Sequence, residues 1–186
     1  MNFLKIYHSD LYRYGDISSF KKRIILYFKY PGAKYSFWLR LSSCLKQYHY
    51  LYCLYIIARI ILRHYSYKFG IDIPYNTVIG NGFYIGHFGN IVINNKTVIG
   101  ANVNISHGVT IGQSNRGSRK GIATIGDCVY IGPGAKIIGN IRIGNHVAIG
   151  ANCVVTKDIP DNAVVAGIPG EILSMNGVQG YIERMI

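Results

Sequence analysis

Residues 125–155 read IGDCVYIGPGAKIIGNIRIGNHVAIGANCVV, and an isoleucine or valine returns at every sixth position. The same six-residue step occurs earlier in the chain, from residue 73 onward. Glycine directly follows many of these aliphatic residues, and a small residue such as Val103 or Ala135 comes four places after one. The aliphatic positions are Ile73, Ile79, Ile85, Ile93, Ile99, Ile105, Ile111, Ile125, Ile131, Ile137, Ile143, Ile149 and Val155.

A period of six matches neither the 3.6-residue period of an α-helix nor the two-residue alternation of a half-buried strand. It predicts a mainly β fold, a left-handed parallel β-helix, in which each hexad forms one short strand and a turn. Three hexads then complete a triangular coil of about eighteen residues. The aliphatic side chains are expected to stack inside the coil at roughly 4.8 Å. A β-sandwich, the alternative fold, needs longer alternating strands joined by hairpin turns.

The composition changes near residue 70. The chain has 186 residues and a net charge of +12, and residues 1–70 hold twelve of the 20 basic residues but only two of the eight acidic ones. The same segment contains 12 of the 16 tyrosines and the single tryptophan. We therefore predict a basic, tyrosine-rich α-helical region at 1–70, a β-helical domain at 71–173 and a C-terminal tail at 174–186.

The N-terminal region is expected to form helices at 17–30 and 36–63, separated by Pro31-Gly32. Its most apolar stretch, 51–62, is interrupted by Arg59, so we predict no membrane-spanning helix. Arg59 and Arg63 lie one turn apart and predict peripheral contact with an anionic membrane, the alternative being that these helices pack against each other across subunits. Basic charge without a recognition motif does not indicate nucleic-acid binding.

The four cysteines form no CxxC pair, and the N-terminus lacks the pattern of a signal peptide. Both features indicate a cytoplasmic protein, at most attached to the inner face of the membrane.

Two steps in the repeat are longer than six residues. Ile85 to Ile93 is a step of eight, and Ile111 to Ile125 is a step of fourteen. The second insertion predicts an extruded loop at 113–123, which is rich in glycine and in basic residues. A loop that leaves a regular coil often serves binding, although a tolerated surface insertion is the alternative. The basic residues of the loop are Arg116, Arg119 and Lys120.

The coil period places two histidines together. His87 and His107 are twenty residues apart, and removing the two inserted residues leaves eighteen, which is one coil. Both come two places after an aliphatic residue, so they are expected on the same outer edge. The same count continues that edge through Pro133, Ala151 and Pro169. An imidazole beside a cleft can accept a hydroxyl proton near neutral pH, whereas an ordinary polar surface residue is the alternative interpretation.

Several segments resemble the hexapeptide-repeat acetyltransferases, and within them the serine O-acetyltransferase branch. The resemblance covers about residues 70–173 and is carried by GIDIPYNTVIGNGFYIGHFGNIVINNKTVIG, NISHGVTIG, GPGAKIIGNIRIGNHVAIGANCVVTKDIP and VVAGIPGEIL. It implies His87 as general base and Asp72, fifteen residues earlier, as the carboxylate that orients it. It also implies a homotrimer that binds acetyl-CoA in the grooves between subunits.

The resemblance further implies which residues contact acetyl-CoA. The groove runs past Pro133 and Ala151, and VVAGIPGEIL, which contains Pro169, resembles the segment that closes over the cofactor. Independently of the resemblance, the loop residues Arg116, Arg119 and Lys120 are expected to contact the CoA phosphates or an acidic sugar of the adjacent site. The glycine after Ile111 predicts that a main-chain amide near Gly112 stabilises the oxyanion. His107 is expected either to bind the acceptor or to share the role of base.

Two positions depart from the serine branch on the acceptor side. The family has an aspartate directly before the catalytic histidine and a second histidine after the long loop, where this chain has Gly86 and Ile122. These losses fall on the acceptor side and argue against serine. The short N-terminal region, the ISHGVTIG stretch and the arginines of the loop resemble related enzymes that acetylate sugars, so we predict a sugar hydroxyl as acceptor, in a glycan of capsule, exopolysaccharide or O-antigen. The alternative is a serine O-acetyltransferase of cysteine biosynthesis.

Two further classes remain open. His87 and His107 could bind zinc between subunits, but such a site needs a third ligand, and no other histidine falls on this edge, so no metal is expected. A non-catalytic scaffold would keep the coil without needing the spacing between Asp72 and His87.

Overall fold

The computed structural model describes residues 3–186, and the helices that these residues form all precede Gly70. A short 3-10 turn at His49–Leu51 leads into the last helix. None of the helices combines the length and the apolar composition that a bilayer span requires. The four helices are α1 (Phe3–Tyr12), α2 (Phe20–Lys29), α3 (Pro31–Leu45) and α4 (Tyr52–Phe69).

The helix boundaries differ from the sequence prediction in three respects. Pro31 begins α3 instead of separating two helices at a distance, because the first helical position needs no N–H and suits the fixed φ of proline. The predicted helix at 36–63 is two helices, interrupted between Leu45 and Tyr52. Helix α1 was not predicted at all. Its apolar residues pack on α3 and α2 within a cluster that includes Tyr7 and Leu11.

Short strands occupy the rest of the chain as far as residue 174. Each consists of two to four residues, as the hexad predicts. They are β1 (Ile71–Asp72), β2 (Val78–Ile79), β3 (Tyr84–Ile85), β4 (Ile91–Ile93), β5 (Val98–Ile99), β6 (Asn104–Ile105), β7 (Thr110–Gly112), β8 (Thr124–Ile125), β9 (Tyr130–Ile131), β10 (Lys136–Ile138), β11 (Arg142–Ile143), β12 (Ala148–Ile149), β13 (Val154–Val155), β14 (Val164–Ala166) and β15 (Glu171–Ser174).

These strands form three sheets, and from β1 to β10 each strand pairs in parallel with the third strand after it. In the shorter last coil, β12 pairs in parallel with β14. Face A contains β1, β4, β7, β10 and β13; face B contains β2, β5, β8 and β11; face C contains β3, β6, β9, β12, β14 and β15. Only β15 runs antiparallel, against β14, among the strands described. The chain therefore winds as a three-sided parallel β-helix, which confirms the predicted mainly β fold with N-terminal helices.

The repeated aliphatic residues fill the interior of the coil. On face C, Ile85, Ile105, Ile131 and Ile149 pair in register, and all four are buried. The tail after β15 lies over the outer side of the same face, where Val178 and Ile182 are buried against Cys128 and Ala148. Face C is thus covered by the protein itself.

Gly32 lets helix α3 approach the first coil. A Cβ at this position would lie 2.5 Å from the hydroxyl oxygen of Tyr14 and would overlap the carbonyl oxygen of Ile85. We expect Gly32→Ala to lower the free energy of unfolding by about 1–3 kcal/mol, although alanine is the better helix former by about 1 kcal/mol. Urea denaturation followed by tryptophan fluorescence measures this, with Ser43→Ala on the same helix as control. An unchanged midpoint for Gly32→Ala would contradict the close approach.

Candidate active site

The corner between face C and face A carries two histidines. Ile85 and Ile105 pair in register, so His87 and His107, two residues further on, lie one coil apart on the same edge. Both imidazoles are exposed. Their ring centroids are 6.0 Å apart, and the ring planes are inclined by 77°. The structure therefore brings together the two imidazoles that the coil period places side by side.

The same edge continues through smaller residues. Ile131 and Ile149 extend the ladder of Ile105, which places Pro133 and Ala151 beyond His107. The corners are joined by main-chain hydrogen bonds: the Gly134 N–H donates to the His107 carbonyl at 2.9 Å, and the Asn152 N–H donates to the Pro133 carbonyl at 2.8 Å. The edge is a rigid ridge with small side chains beyond the histidines.

The predicted position of Pro169 on this edge was wrong. Ile149 pairs with Val165, only sixteen residues later, so the residue on the edge is Gly167. The last coil is short because Ile159, which bridges Ile143, follows Val155 after four residues instead of six. The hexad could not show this, because the shortened step lies beyond its last regular member. Pro169 follows two residues after the edge.

Asp72 lies on face A, where it pairs with Val92, and its side chain is exposed. Within residues 3–186, no hydrogen bond joins its carboxylate to His87. The neighbouring residue Ile73 is fixed by buried Tyr35, whose hydroxyl accepts from the Ile73 N–H and donates to the Ile73 carbonyl, both at 3.2 Å. Burial, with a smaller contribution from the Asp72 charge, raises the pKa of Tyr35. The orienting role of Asp72 stays a prediction.

Lys136 is a candidate site residue that the sequence reasoning missed. It lies on face A in register with Thr110, and its ammonium group donates to the Gly108 carbonyl at 2.5 Å and to the Thr110 hydroxyl at 3.1 Å. Gly108 directly follows His107, so a positive charge lies beside the histidine edge. The signal was a lysine at an outward strand position within GPGAKIIGN.

The extruded loop is closed at its base by the paired main chains of Ser114 and Gly121. Arg119 donates from its guanidinium to the Asp158 carboxylate at 3.1 Å, and both side chains are largely exposed. The Arg142 N–H and then Arg119 lower the pKa of Asp158. Arg119 is therefore partly engaged within the chain, whereas exposed Lys120 lines an open cavity of about 440 Å³ together with Lys96, Gln113, Gly121 and Ile122.

Gly112 ends strand β7 and pairs with Ile138 of β10. A Cβ on Gly112 would lie 2.9 Å from the Cδ1 atom of Ile138, which is the far end of that side chain. Gly112 is part of the ladder at the entrance of the loop. Within the described part of the chain, no cluster of three or more His, Cys, Asp or Glu side chains is arranged to hold a metal ion.

Comparison with known proteins gives the family. Residues 122–157 match the pattern described as bacterial transferase hexapeptide (six repeats). The solved serine acetyltransferase of Neisseria gonorrhoeae, in complex with serine, has a TM-score of 0.72 and 30% identity, over 92% of this chain and 69% of that one. This chain belongs to the hexapeptide-repeat acetyltransferases. The Brucella abortus serine acetyltransferase in complex with coenzyme A has a TM-score of 0.77 and 29% identity, over 94% and 69% of the two chains.

The curated relatives compared here are serine acetyltransferases as well. The serine acetyltransferase of Mycobacterium tuberculosis is 40% identical over 121 residues, which is 65% of this chain and 53% of that protein. The Staphylococcus aureus enzyme is 41% identical over 125 residues, which is 67% of this chain and 59% of that protein. This hexapeptide-repeat acetyltransferase thus spans a little more than half the length of these relatives.

The prediction of a sugar acceptor in a capsule, exopolysaccharide or O-antigen glycan was wrong. The relatives at about 40% identity and the solved structures compared above are serine acetyltransferases. The inference rested on the loss of two polar side chains, at Gly86 and Ile122, together with the short N-terminal region, the ISHGVTIG stretch and the arginines of the loop. Such a loss removes contacts to one acceptor, but it adds no group that would recognise another. The prediction of a glycan as binding partner was therefore wrong as well.

Proposed function

We propose that the protein transfers an acetyl group from acetyl-CoA to the hydroxyl group of L-serine. The observation that carries the proposal is the exposed pair of imidazoles, 6.0 Å apart, on the edge of a coil whose relatives are serine acetyltransferases. One of these relatives was solved with serine and another with coenzyme A. A serine O-acetyltransferase would feed cysteine biosynthesis, which was the alternative that the sequence left open.

In the proposed reaction, His87 acts as general base. Its neutral imidazole takes the proton of the serine hydroxyl while the oxygen attacks the thioester carbonyl. The carbon–sulfur bond then breaks, and the imidazolium returns the proton to the CoA thiolate, so no covalent acyl-enzyme is needed. General acid–base help of this kind contributes about 10² to 10⁴ in rate. We assign the second imidazole, His107, to the acceptor.

Three charged or polar groups support this chemistry in the proposal. Asp72 orients His87 and stabilises its positive charge. An N–H near Gly112 donates to the oxyanion, and the Lys136 ammonium beside the His107–Gly108 corner adds positive potential. Lys136 acts here as a positioning residue, because it holds the corner carbonyl in place.

Acetyl-CoA is proposed to lie along the histidine edge. Pro133 and Ala151 are small enough for the pantetheine chain to approach the main chain closely. Exposed Lys120 and the partly engaged Arg119 are the proposed partners of the CoA phosphates, and the chain around Pro169 is proposed to close over the cofactor.

The site is proposed to form between subunits of a homotrimer, because one coil edge has no deep pocket of its own. Apolar residues point outward from faces A and B: Val92 on face A and Val78 and Val98 on face B are exposed. A neighbouring β-helix would cover them. We propose left-handed winding for the coil and a cytoplasmic location, where acetyl-CoA is supplied.

The proposal is tested by measuring thiol release from acetyl-CoA with and without L-serine. We expect release to depend on serine, with a high KM because Gly86 and Ile122 carry no charged group. A Cβ at Gly86 would lie 3.2 Å from Cε1 of the Tyr84 ring, so the ring has to shift by a few tenths of an ångström to admit a side chain. Gly86→Asp is expected to lower the KM for serine about tenfold by a charge-assisted hydrogen bond to the amino group.

Matched acceptors make the test selective. L-Threonine and L-alanine serve as controls, because one adds a methyl group beside the hydroxyl and the other lacks the hydroxyl. Serine-independent release, or equal release with alanine, would contradict serine as acceptor. If none of the tested acceptors supported thiol release, serine would not be the acceptor. If CoA binding were also absent, acetyl transfer itself would be contradicted.

A further inference from the structure

Helix α2 presents an outward surface of large apolar side chains. Phe20 is 74% exposed, Phe28 68% and Ile25 50%, and Ile24 is also exposed. Residues three and four apart on a helix are neighbours, so these four side chains form one patch. No residue of α2 is buried, and only its inner side packs on the other helices, chiefly through Leu26 and Tyr27.

The same helix is strongly basic. It contains Lys21, Lys22, Arg23 and Lys29, and residues 17–71 contain no aspartate or glutamate. Lys21 and Lys29 lie four residues on either side of Ile25, so they flank the apolar patch. Asp16, just before the helix, is ion-paired with Lys22, whose hydrogen bond holds the pKa of Asp16 at about 2. One of the four positive charges is thus compensated within the chain.

A groove beside α2 extends the apolar surface. A cavity of about 390 Å³ lies between α1 and α2, and its lining includes Leu4, Phe20 and Ile24. His8 and Arg23 are the basic members of this lining, with 3.4 Å between the guanidinium and the imidazole Nε2, and Tyr7 and Tyr27 also line it. Burial and the Arg23 charge lower the pKa of His8, so Arg23 supplies the positive charge at the groove.

We propose that α2 docks this protein on the surface of an anionic lipid bilayer. Phe20, Ile25 and Phe28 would enter the boundary between headgroups and acyl chains, while Lys21 and Lys29 contact lipid phosphates. A second copy of the chain is a poorer partner for this patch, because two such helices would bring like charges together. The inference does not depend on the acetyl-transfer reaction.

The proposed membrane contact lies on α2, and not at Arg59 and Arg63 as the sequence suggested. The Arg59 guanidinium lies 3.8 Å from the centroid of the Tyr75 ring and donates to the Tyr55 hydroxyl at 3.3 Å. The Arg63 guanidinium lies 4.9 Å from the Tyr67 ring centroid. Arg59 is therefore held against the protein, whereas the apolar and basic residues of α2 face outward.

Vesicle flotation of the full chain tests the proposal. We expect flotation with vesicles of phosphatidylcholine containing 30% phosphatidylglycerol, and none with phosphatidylcholine alone. Lys21→Gln/Lys29→Gln is expected to weaken binding to the anionic vesicles about 10- to 30-fold. Ile25→Ser/Phe28→Ser is expected to weaken it at least as much, because it removes the inserted side chains.

The matched control is Lys68→Gln/Lys96→Gln, which removes the same two charges from exposed positions outside α2. It is expected to retain at least a third of the wild-type binding. Thermal melting establishes that each variant is folded. Absence of wild-type flotation, or equal loss in the control and α2 variants, would overturn the proposal. The proposal would also be overturned if the α2 variants bound vesicles like the wild type but changed the oligomeric mass, as measured by light scattering.

Discussion

Replacing His87 by asparagine is expected to lower kcat for serine-dependent thiol release by about 10²- to 10⁴-fold, because the variant has no base to take the hydroxyl proton. His107→Asn is expected to act mainly on the KM for serine, with a change of about tenfold, since we assign it to acceptor binding. Both imidazoles lie on the same exposed edge, so neither variant removes buried contacts. Steady-state kinetics with varied serine and saturating acetyl-CoA separates the two effects.

His146→Asn is the matched control, because His146 is another exposed histidine of the coil that lies at a different offset in the repeat. Its kcat and KM are expected to remain within twofold of the wild type. If His87→Asn kept a wild-type kcat while His107→Asn lost it, the role of base would belong to His107. If both variants kept full activity, the histidine edge would not be the catalytic site.

The six-residue repeat predicted the structure of the coil, because residues at equivalent positions in successive coils have the same surroundings. His87, His107, Pro133 and Ala151 could therefore be aligned from the sequence, because the count between them depends only on regular coils and two visible insertions. Pro169 was misplaced because the step from Val155 to Ile159 is shortened, and a shortened step leaves no glycine or loop signal of its own.

Contacts between the helices and the coil could not be predicted in this way. Asp10 and Arg40 are thirty residues apart on different helices, and no periodicity relates them. Tyr14 likewise gave no signal, yet its buried hydroxyl accepts from the Ile85 N–H at 3.0 Å and donates to the Ile85 carbonyl at 3.2 Å. The prediction of the acceptor was wrong for a related reason. A missing side chain, such as that at Gly86, does not indicate which acceptor binds in place of serine.

Replacing Arg40 by methionine is expected to lower the free energy of unfolding by about 3–5 kcal/mol. Asp10 and Arg40 are almost fully buried and form a two-pronged ion pair, with the Asp10 carboxylate oxygens 2.9 Å from Nε and 3.1 Å from Nη2. Arg40 also donates to the carbonyls of Ile79 and Gly80, each at 2.6 Å. Methionine would fill the volume but leave a buried carboxylate and two carbonyls without this partner. Urea denaturation gives the energy.

The ion pair also connects the helical region to the coil that carries His87. The Asp10 carboxylate accepts from the Phe83 N–H at 2.9 Å, four residues before His87. Arg40→Met is therefore expected to lower the temperature at which serine-dependent activity is lost, in step with the loss of stability. A matched surface control is Lys157→Met, which breaks the exposed pair with Glu171. That change is expected to cost no more than about 1 kcal/mol. Equal costs for the two variants would mean that the buried pair does not hold the helices on the coil.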